Sequence, residues 1–398
     1  MTRPDSVYPN VRVPYGTWGS TYFPAWQTSP FAELNFGQFA GETLARILGL
    51  RKVPRQSLDY LVTGSTIPWH WKFWNGPFVA HCMGERIAGC HVEQACATGL
   101  QATAIGAAEI QAGAHQVVAV LGFDRTSDSA VGIFPERRST TRTVALVDVW
   151  DNFGFDPSTG GSMLAAAGAT ARKHKVTRKE VDEVALCRYQ QYFETKARGF
   201  HERYLVPVEV LNTGGKVVGR VAEDIGVKPI SAEALRGMTE LDTSVTSGGQ
   251  THAADGVAAL LVTSKEKAAE LSARPEIQIR LIAKADVRMA PGMMPEAPSF
   301  ATQKLLRMTG LSIDDMAVVK SHNPFAVNDV VFSKVLGLDF RKMNRTGSSL
   351  VWGHPQGPTM LRITIEALEE AVELGGGYVL VTGCAAGDQG VAAIFEVA

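Results

Sequence analysis

The amino-acid sequence predicts an α/β fold in which helices alternate with strands that are buried on both faces. Val117–Leu121 and Tyr378–Thr382 are continuous apolar runs that each end at a glycine, as is typical of strands inside a layered sheet. A stretch of helical character precedes each run, at Leu100–Ile110 and Thr359–Leu374. Because strands joined through helices usually run in the same direction, we expect helical layers around mostly parallel sheets.

The same order of elements occurs twice, which indicates a duplicated strand–helix unit. Between Cys96 and Gly122, a turn with a reactive side chain leads into a helix, a glycine break, an apolar strand and a final glycine. Between His354 and Gly383 the order repeats. We therefore predict two related halves whose corresponding turns carry the chemistry.

The length and local composition of the chain predict its domains. At 398 residues the chain exceeds the size at which one hydrophobic core stops growing. We expect an N-terminal half at residues 1–123, completed by 244–270, and a C-terminal half at 271–398. Residues 124–243 are richer in Arg, Ser, Thr, Asp and Gly, and we expect them to form an inserted loop domain.

Shorter patterns place the remaining elements. Thr177 with Glu180 three positions later is a capping-box pattern, which marks the start of a helix. The predicted strands are a short one beginning at Arg12, then Leu58–Val62 and Gly89–Glu93, and the further predicted helices are Phe39–Leu50, Ser162–Lys175, Arg178–Arg198 and Pro324–Leu336.

The overall composition excludes several classes of protein. A formal net charge of −1 gives no support for nucleic-acid binding, and no apolar run reaches the length of a membrane span. Residues 1–14 lack the apolar core and cleavage pattern of a signal peptide. An odd number of cysteines, five, predicts free thiols in a reducing compartment, hence a cytoplasmic protein. No Cys-x-x-Cys spacing is present, so we predict no metal site among Cys82, Cys90 and Cys96.

Cys96 is the first candidate for a reactive group. It lies between a predicted strand and the helical stretch that begins near Leu100, at or close to the N-terminus of a helix. The unpaired N–H groups and the dipole there stabilise an anion, which predicts a lowered thiol pKa and a better nucleophile. The alternative is that Cys96 is a small buried apolar residue, which is the usual role of a single cysteine.

Three polar clusters of the second half lie at predicted strand ends or loops, where catalytic groups often occur. They are Ser321–Phe325, Gly353–Gly357 and Gly383–Gly390. His354 could act as the base for a thiol nucleophile, and Cys384 could move a second proton. Glycine-rich backbone beside Cys384 could direct N–H groups at an oxyanion. The alternative is that His354 and Cys384 are ordinary loop residues.

An aromatic segment precedes Cys96. Trp69, Trp71, Phe73, Trp74 and Phe78 lie within ten residues of one another. A core or subunit-interface patch is one interpretation, and an aromatic wall beside a substrate pocket is the other.

Taken together, these motifs resemble the thiolase family of the thiolase/ketoacyl synthase superfamily, in the same order and over nearly the whole chain. Gln94–Ala102 resembles the nucleophile motif of that family, with Thr98 where Ser is common. The further matching segments are Arg12–Gly16, Gly199–Val208, Thr246–Gly256, His322–Phe325, Gly353–Pro355 and Cys384–Gly390. The resemblance implies a duplicated five-layer αβαβα fold with an inserted loop domain, and an acyltransferase activity.

The resemblance also implies a role for each matching residue. Cys96 would take the acyl group, His354 would activate it, and Cys384 would act as acid and base on the α-carbon of the second acyl-CoA. His322 would stand in place of an Asn that positions water or binds the thioester oxygen. The N–H groups of Cys96 and Ala386 would form an oxyanion hole. The residues expected at the substrate are Met163, Ser247, Thr251, His252, Asn323 and Phe325.

Departures from the family pattern bear on the substrate. Ala386 replaces a usual Gly, Ser162 stands where a His is frequent, and the segment Gly249–His252 differs from the usual Asn-Ala-Ser-Gly. With the aromatic segment, these differences favour a bulky or aromatic 3-oxoacyl-CoA such as 2-benzoylsuccinyl-CoA, in cleavage or in the reverse Claisen condensation.

The resemblance implies no permanently bound cofactor, with coenzyme A as a substrate. It implies a homodimer or a dimer of dimers, and for some divergent relatives a small zinc-binding OB-fold partner subunit. Two alternatives are a thiolase-like retro-aldolase, which the presence of both Cys96 and Cys384 disfavours, and a non-catalytic subunit of a complex.

Overall fold

The structure, a computed structural model, describes residues 5–127, 130–135, 144–148, 151–212 and 214–398. Its strands are β1 (Val11–Arg12), β2 (Gly19–Thr21), β3 (Tyr60–Gly64), β4 (Ala88–Val92), β5 (Val117–Asp124), β6 (Val131–Pro135), β7 (Val144–Asp148), β8 (Leu205–Val206), β9 (Val208–Leu211), β10 (Val217–Val221), β11 (Glu240–Asp242), β12 (Val245–Thr246), β13 (Gly256–Ser264), β14 (Ile279–Arg288), β15 (Met316–His322), β16 (Gly377–Ala385) and β17 (Gln389–Val397). Its α-helices are α1 (Phe36–Leu50), α2 (Asn75–Met83), α3 (Thr98–Gln111), α4 (Asp151–Gly154), α5 (Met163–Lys173), α6 (Arg178–Ala197), α7 (Ala232–Arg236), α8 (Lys265–Leu271), α9 (Ala297–Thr309), α10 (Ala326–Leu336), α11 (Ser349–Trp352) and α12 (Gln356–Glu373).

Two sheets and three helical layers form the αβαβα arrangement. The first sheet has the order β4-β3-β5-β13-β2-β8, with β1 paired to β13, and the second has the order β14-β17-β16-β15. Helices α3 and α12 pack against each other between the two sheets. Helix α1 packs on the outer face of the first sheet and α9 on the outer face of the second. The α/β fold class predicted from the sequence is confirmed.

The middle layer is held close by glycines at the ends of the duplicated units. A Cβ atom on Gly122, in β5, would lie 2.6 Å from the carbonyl oxygen of Gly357 at the start of α12. One on Gly99, in α3, would lie 2.9 Å from the same oxygen. Only residues without a side chain permit this approach, so the N-terminal ends of α3 and α12 meet at one place.

The expectation of mostly parallel sheets is wrong. Parallel pairing holds β3 to β4, β3 to β5, β2 to β8 and β15 to β16, whereas β13 and β17 run antiparallel to their neighbours in the sheets. Strand β17 follows β16 after only three residues, 386–388, and so short a connection reverses the chain. The apolar runs alone do not distinguish these directions.

The segment between β5 and β13 carries the paired strands β6–β7, β9–β10 and β11–β12 and the helices α4 to α7. The capping box predicted at the start of α6 is present, with Glu180 accepting from the Thr177 backbone. Helix α6 packs on α10 of the second half. The boundaries of an inserted loop domain stay a prediction. In the part of the chain that the structure describes, no helix is long and apolar enough to span a membrane.

Candidate active site

A cavity of about 660 Å³ opens where the two halves and the inserted segment meet. Cys96, His354 and Ala386 lie on its wall. Each comes from a different turn: the one before α3, the one before α12 and the one between β16 and β17. Turns of the two duplicated units therefore meet at one cavity.

The turn before α3 is strained and points Cys96 at the cavity. Ala95 has a φ of 44°, in the left-handed region that a residue with a side chain rarely adopts. Thr98 stabilises this conformation because its hydroxyl donates to the Ala95 carbonyl at 2.7 Å and accepts from the Gln94 N–H at 2.8 Å. Cys96 as a residue is partly exposed and lies on the cavity wall, whereas protein surrounds most of its thiol group.

The predicted lowering of the Cys96 pKa is wrong. Burial of the thiol raises its pKa to about 12, and the N–H of Ala386, which hydrogen-bonds to the sulfur, offsets this only in part. Desolvation therefore outweighs the backbone hydrogen bonds from Ala386 and Cys96, and the resting group is a thiol that needs a base.

His354 is placed to be that base. Its Nδ1 lies 2.7 Å from the Thr359 hydroxyl, which donates its own proton to the Pro355 carbonyl at 2.6 Å. Nδ1 must therefore carry the ring proton, which leaves a lone pair on Nε2. Burial lowers the His354 pKa to about 3, so the ring is neutral near pH 7. Nε2 is buried, has no hydrogen-bond partner among the residues that the structure describes, and is available to accept a proton.

His322 lies beside His354, with the ring centroids 4.1 Å apart. Its Nδ1 lies 2.8 Å from the Ser349 hydroxyl, and its buried Nε2 also has no hydrogen-bond partner within the described ranges of the chain. Burial and the neighbouring His354 hold its pKa well below the usual value. A ligating atom from each of His322, His354 and Cys96 falls within 4.8 Å of the other two.

Cys384 lies at the end of β16, fully buried behind the cavity wall. Burial and the nearby Cys96 raise its pKa, whereas a hydrogen bond from Asn328 opposes that shift. The Asn328 amide lies 3.4 Å from the sulfur and also donates to the Pro295 carbonyl at 3.0 Å. The thiol is therefore neutral at rest and held in position.

The turn that carries Ala386 is fixed by its neighbours. The Asp388 carboxylate accepts from the N–H groups of Gly292 and Met293, at 3.1 and 2.8 Å. Gln389 donates to the Ala386 carbonyl at 3.0 Å. The Ala386 N–H is thereby held toward Cys96, in the manner that an oxyanion hole requires.

Three of the six residues expected at the substrate lie on the cavity wall: Met163, Thr251 and Phe325. Ser247, His252 and Asn323 do not. The Ser247 hydroxyl donates to the Met238 sulfur at 3.5 Å on the surface.

Asn323 is buried and donates to Asp329 at 2.7 Å, so its amide is used inside the protein. His252 packs its ring against Gly353, and its carbonyl accepts the His354 N–H at 2.8 Å. This histidine therefore contacts the turn that carries His354.

The aromatic segment does not form a wall of the cavity, because Trp69–Phe78 contributes no residue to its lining. Trp69 packs on Phe123, with ring centroids 5.8 Å apart. Phe73 and Trp74 are instead 89% and 63% exposed. The interpretation as a pocket wall is wrong for this cavity, and the interface interpretation stays open.

Sequence reasoning missed Asp124, which joins the two halves beside the site. Its buried carboxylate accepts from the N–H groups of Ile67 and Gly357, at 2.8 and 2.6 Å, and from the Thr66 hydroxyl at 3.0 Å. Burial raises the pKa of the Asp124 carboxyl to about 6, although these hydrogen bonds act to lower it. Asp124 is the last residue of β5 and follows its apolar run. This position was a sequence signal of a functional role, since polar residues at strand ends often serve a site.

Comparisons with known proteins give the class to which this fold and cavity belong. The family model described as the thiolase N-terminal domain matches residues 26–266, and the one described as the thiolase C-terminal domain matches residues 275–397. The chain belongs to the thiolase family, and it is an acyltransferase.

Individual relatives agree with this class. The chain is 31% identical to beta-ketothiolase BktB of Cupriavidus necator over 314 residues, which cover 77% of this chain and 78% of the relative. It is 28% identical to the 3-oxoadipyl-CoA/3-oxo-5,6-dehydrosuberyl-CoA thiolase of Escherichia coli over 329 residues, 78% of this chain and 80% of the relative. The crystal structure of human mitochondrial 3-ketoacyl-CoA thiolase superimposes with a TM-score of 0.88 at 24% identity, covering 98% and 99% of the two chains. That likeness shows the fold.

Proposed function

We propose that this chain cleaves a 3-oxoacyl-CoA with coenzyme A, or runs the reverse condensation, through an acyl group on Cys96. The observation that carries the proposal is the neutral base beside the neutral thiol: His354 Nε2 bears a lone pair, and its ligating nitrogen and the Cys96 sulfur lie within 4.8 Å. A thiol of raised pKa needs such a base before it can attack a carbonyl. The names of the relatives, 3-oxoadipyl-CoA thiolase among them, favour the same reaction.

In the first step of cleavage, the Cys96 proton moves to His354 Nε2 and the sulfur attacks the 3-keto carbon. The N–H groups of Cys96 and Ala386 stabilise the oxyanion. The bond between the α-carbon and the 3-carbon then breaks, and its electron pair forms the enolate of the shorter acyl-CoA. His322 binds the thioester oxygen of that enolate, and Cys384 gives its proton to the α-carbon.

The second step restores the enzyme. The thiol of coenzyme A gives its proton to the Cys384 thiolate and attacks the acyl-cysteine. The Cys96 sulfur leaves and recovers the proton held by His354. Splitting one difficult step into two in this way is the advantage of covalent catalysis, and no permanently bound cofactor enters either step.

The cavity favours a bulky, apolar acyl group. Phe153, Phe155 and Phe325 lie on its wall with Met163, and its volume of about 660 Å³ is within the usual range for ligand sites. We propose an aromatic 3-oxoacyl-CoA such as 2-benzoylsuccinyl-CoA. The support comes from these phenylalanines and not from the segment 69–78.

A panel of substrates tests the reaction and the acyl group together. Acetoacetyl-CoA, 3-oxoadipyl-CoA and 2-benzoylsuccinyl-CoA are each mixed with enzyme and coenzyme A, and the loss of enolate absorbance is followed. We expect the highest kcat/KM with the aromatic substrate. Faster cleavage of acetoacetyl-CoA would contradict the proposed acyl group, and no cleavage of any of them would contradict the reaction.

The separate roles proposed for Cys96 and Cys384 can be tested by substitution. Cys384→Ala should still form the acyl-enzyme at Cys96 with a donor acyl-CoA but should fail to cleave a 3-oxoacyl-CoA. Cys187→Ser is the matched control, because Cys187 lies on α6 outside the cavity, and it should leave both reactions unchanged. Loss of acylation alone in Cys384→Ala would contradict the assignment.

We propose that the protein is a cytoplasmic homodimer or dimer of dimers. Strand β4 is an edge strand of the first sheet, and the exposed Phe73 and Trp74 lie in the segment that leads to it. Exposed strand edges next to apolar groups favour pairing with a second copy. All five cysteines are unpaired, which agrees with a reducing compartment. A monomer by light scattering at micromolar concentration would contradict this arrangement.

A small zinc-binding OB-fold subunit is the second partner that we propose. The paired strands β6 and β7 expose five large apolar side chains, and surfaces of this kind often mark contacts between proteins. They are Val131, Ile133, Phe134, Val144 and Leu146. The test is gentle purification from the native host, where absence of a second subunit would count against it.

A further inference from the structure

Two buried histidines close to Cys96 each have a ring nitrogen without a hydrogen-bond partner in the part of the chain that the structure describes. His322 and His354 are both buried, and Nε2 of each has no hydrogen-bond partner among the described residues. Leaving a buried polar atom unpaired costs stability, so two such atoms on histidines close to Cys96, one of which lies on the cavity wall, indicate a place for a ligand. In the proposed reaction, His354 takes up a proton and His322 binds the thioester oxygen, so both rings can bind another ligand only when no acyl-CoA is present.

The two rings are also held as metal-bound histidines usually are. Nδ1 of His354 is fixed by Thr359 at 2.7 Å, and Nδ1 of His322 by Ser349 at 2.8 Å. A hydrogen bond at the second ring nitrogen orients an imidazole and directs the other nitrogen at the ion. Ser349 in turn accepts the Asn323 N–H at 3.2 Å, which fixes its position.

We propose that Cys96, His322 and His354 bind one divalent cation of the zinc class, and that the bound ion reversibly blocks the nucleophile. One sulfur and two imidazole nitrogens suit Zn²⁺ and Co²⁺. On binding, the Cys96 thiol loses its proton to solvent and the sulfur forms the bond to the metal. The fourth position faces the cavity, where water completes the tetrahedron.

The geometry needs only a small contraction. Metal–ligand bonds of about 2.0–2.3 Å place tetrahedral ligand atoms roughly 3.3–3.8 Å apart. The three atoms here are already within 4.8 Å of one another. Cys96 sits in a strained turn at the cavity, so its side chain can supply the movement while the two rings stay on their hydroxyl partners.

A titration of the full-length, metal-free protein with Co²⁺ tests the proposal without any acyl-CoA. We expect one equivalent to bind, with a thiolate-to-cobalt absorption band in the near ultraviolet, and alkylation of Cys96 by iodoacetamide to slow at least tenfold. Cys96→Ser should abolish the band. His322→Asn should weaken binding at least tenfold while leaving the near-ultraviolet circular dichroism of the fold unchanged.

The matched control is a surface histidine next to carboxylates. His115 lies 3.7 Å from Asp59 and 3.9 Å from Glu109, a pair of acidic groups that could collect cations nonspecifically. His115→Asn should leave the band and its stoichiometry unchanged. Equal Co²⁺ affinity in the wild type and Cys96→Ser, unchanged alkylation of Cys96, or a band that depends on His115 would each overturn the proposal. Because no substrate is present, these outcomes are independent of whether the thiolase reaction occurs.

Discussion

The two duplicated units differ in how they hold their reactive turns. The first unit, β4 to β5, places Cys96 on a strained, partly exposed turn at the cavity. The second places His354 in a buried turn before α12, and residues 356–371 of that helix are all buried. The comparison teaches that one half supplies a thiol on the cavity wall, and the other supplies a rigidly held, buried imidazole that can act as a base.

Burial of charge explains the rigidity of the second unit. Arg362 of α12 forms two hydrogen bonds of 2.8 Å to Asp224 of the inserted segment and lies 3.3 Å from Glu366. Lys320 of β15 lies 3.0 Å from Glu366. Because a buried charge without its partner is costly, this network holds α12 to β15 and to the inserted segment. The helix that starts behind His354 therefore has little freedom to move.

The largest effect is expected from removing the base of the second unit. His354→Asn deletes the Nε2 lone pair, and we expect kcat for thiolysis to fall by about 10²–10⁴. Thr359→Val keeps the ring but removes the acceptor of Nδ1–H, so both tautomers become accessible and a loss of about tenfold is expected. Steady-state kinetics of both variants measures this difference. An activity of His354→Asn within tenfold of the wild type would contradict the role of the base.

The next effect concerns the contact between the units. Gly122→Ala would place a Cβ atom 2.6 Å from the backbone of Gly357, so α12 must shift. We expect the free energy of unfolding to fall by about 3 kcal/mol.

Gly49→Ala is the control for that substitution, because a Cβ there meets nothing within 4 Å and the residue lies in helix α1. It should stabilise the protein by about 0.5–1 kcal/mol. Denaturant titrations measure both variants, and an equal response would show that the glycine contact is not required.

Substitution of Asp124 tests the same contact between the two units, because its carboxylate accepts hydrogen bonds from both halves of the chain. Asp124→Asn keeps one carbonyl oxygen and turns an N–H₂ group toward donors such as the Gly357 N–H, so we expect a loss of about 2 kcal/mol and a lower kcat. The control is Asp59→Asn, where Asp59 accepts the Gln116 and Val117 N–H groups at the other, more exposed end of β5. It should cost less than about 1 kcal/mol and leave kcat unchanged. Equal losses of stability and of kcat in the two variants would show that Asp124 has no special role at this contact.

The smallest effect is a dependence of stability on pH. The pKa of His354 is about 3 in the folded state and about 6.5 when unfolded, so the unfolded chain binds more protons between these values. Stability should therefore fall as the pH drops below 6.5, by about 1 kcal/mol from this group at pH 5.5. His354→Gln should flatten the dependence measured by denaturant titration at several pH values. A slope identical to that of the wild type would show that His354 is not buried as a neutral ring.

Much of the fold followed from the sequence, because glycine breaks and apolar runs are local signals. Helix α6 with its Thr177 capping box and the strands β5 and β16 lie within a few residues of their predicted bounds. Whether neighbouring strands run parallel or antiparallel could not be predicted, since an apolar run has the same pattern in either direction.

The site was predictable in part, for a similar reason. Cys96, His354, Ala386 and three of the expected substrate residues reach one cavity. The hydrogen bonds that control protonation come from Thr359, Ser349 and Asn328, and no sequence spacing reveals them. The Cys96 pKa was predicted in the wrong direction because burial depends on packing from the opposite half.

The most direct test of the central claim is intact-protein mass spectrometry after brief incubation with an acyl-CoA donor and no free coenzyme A. The account predicts a gain of one acyl group per chain, located at Cys96 by peptide mapping, released on adding coenzyme A and absent in Cys96→Ser. An unmodified Cys96 in the folded wild-type protein, or an acyl group on Cys384 in its place, would contradict it.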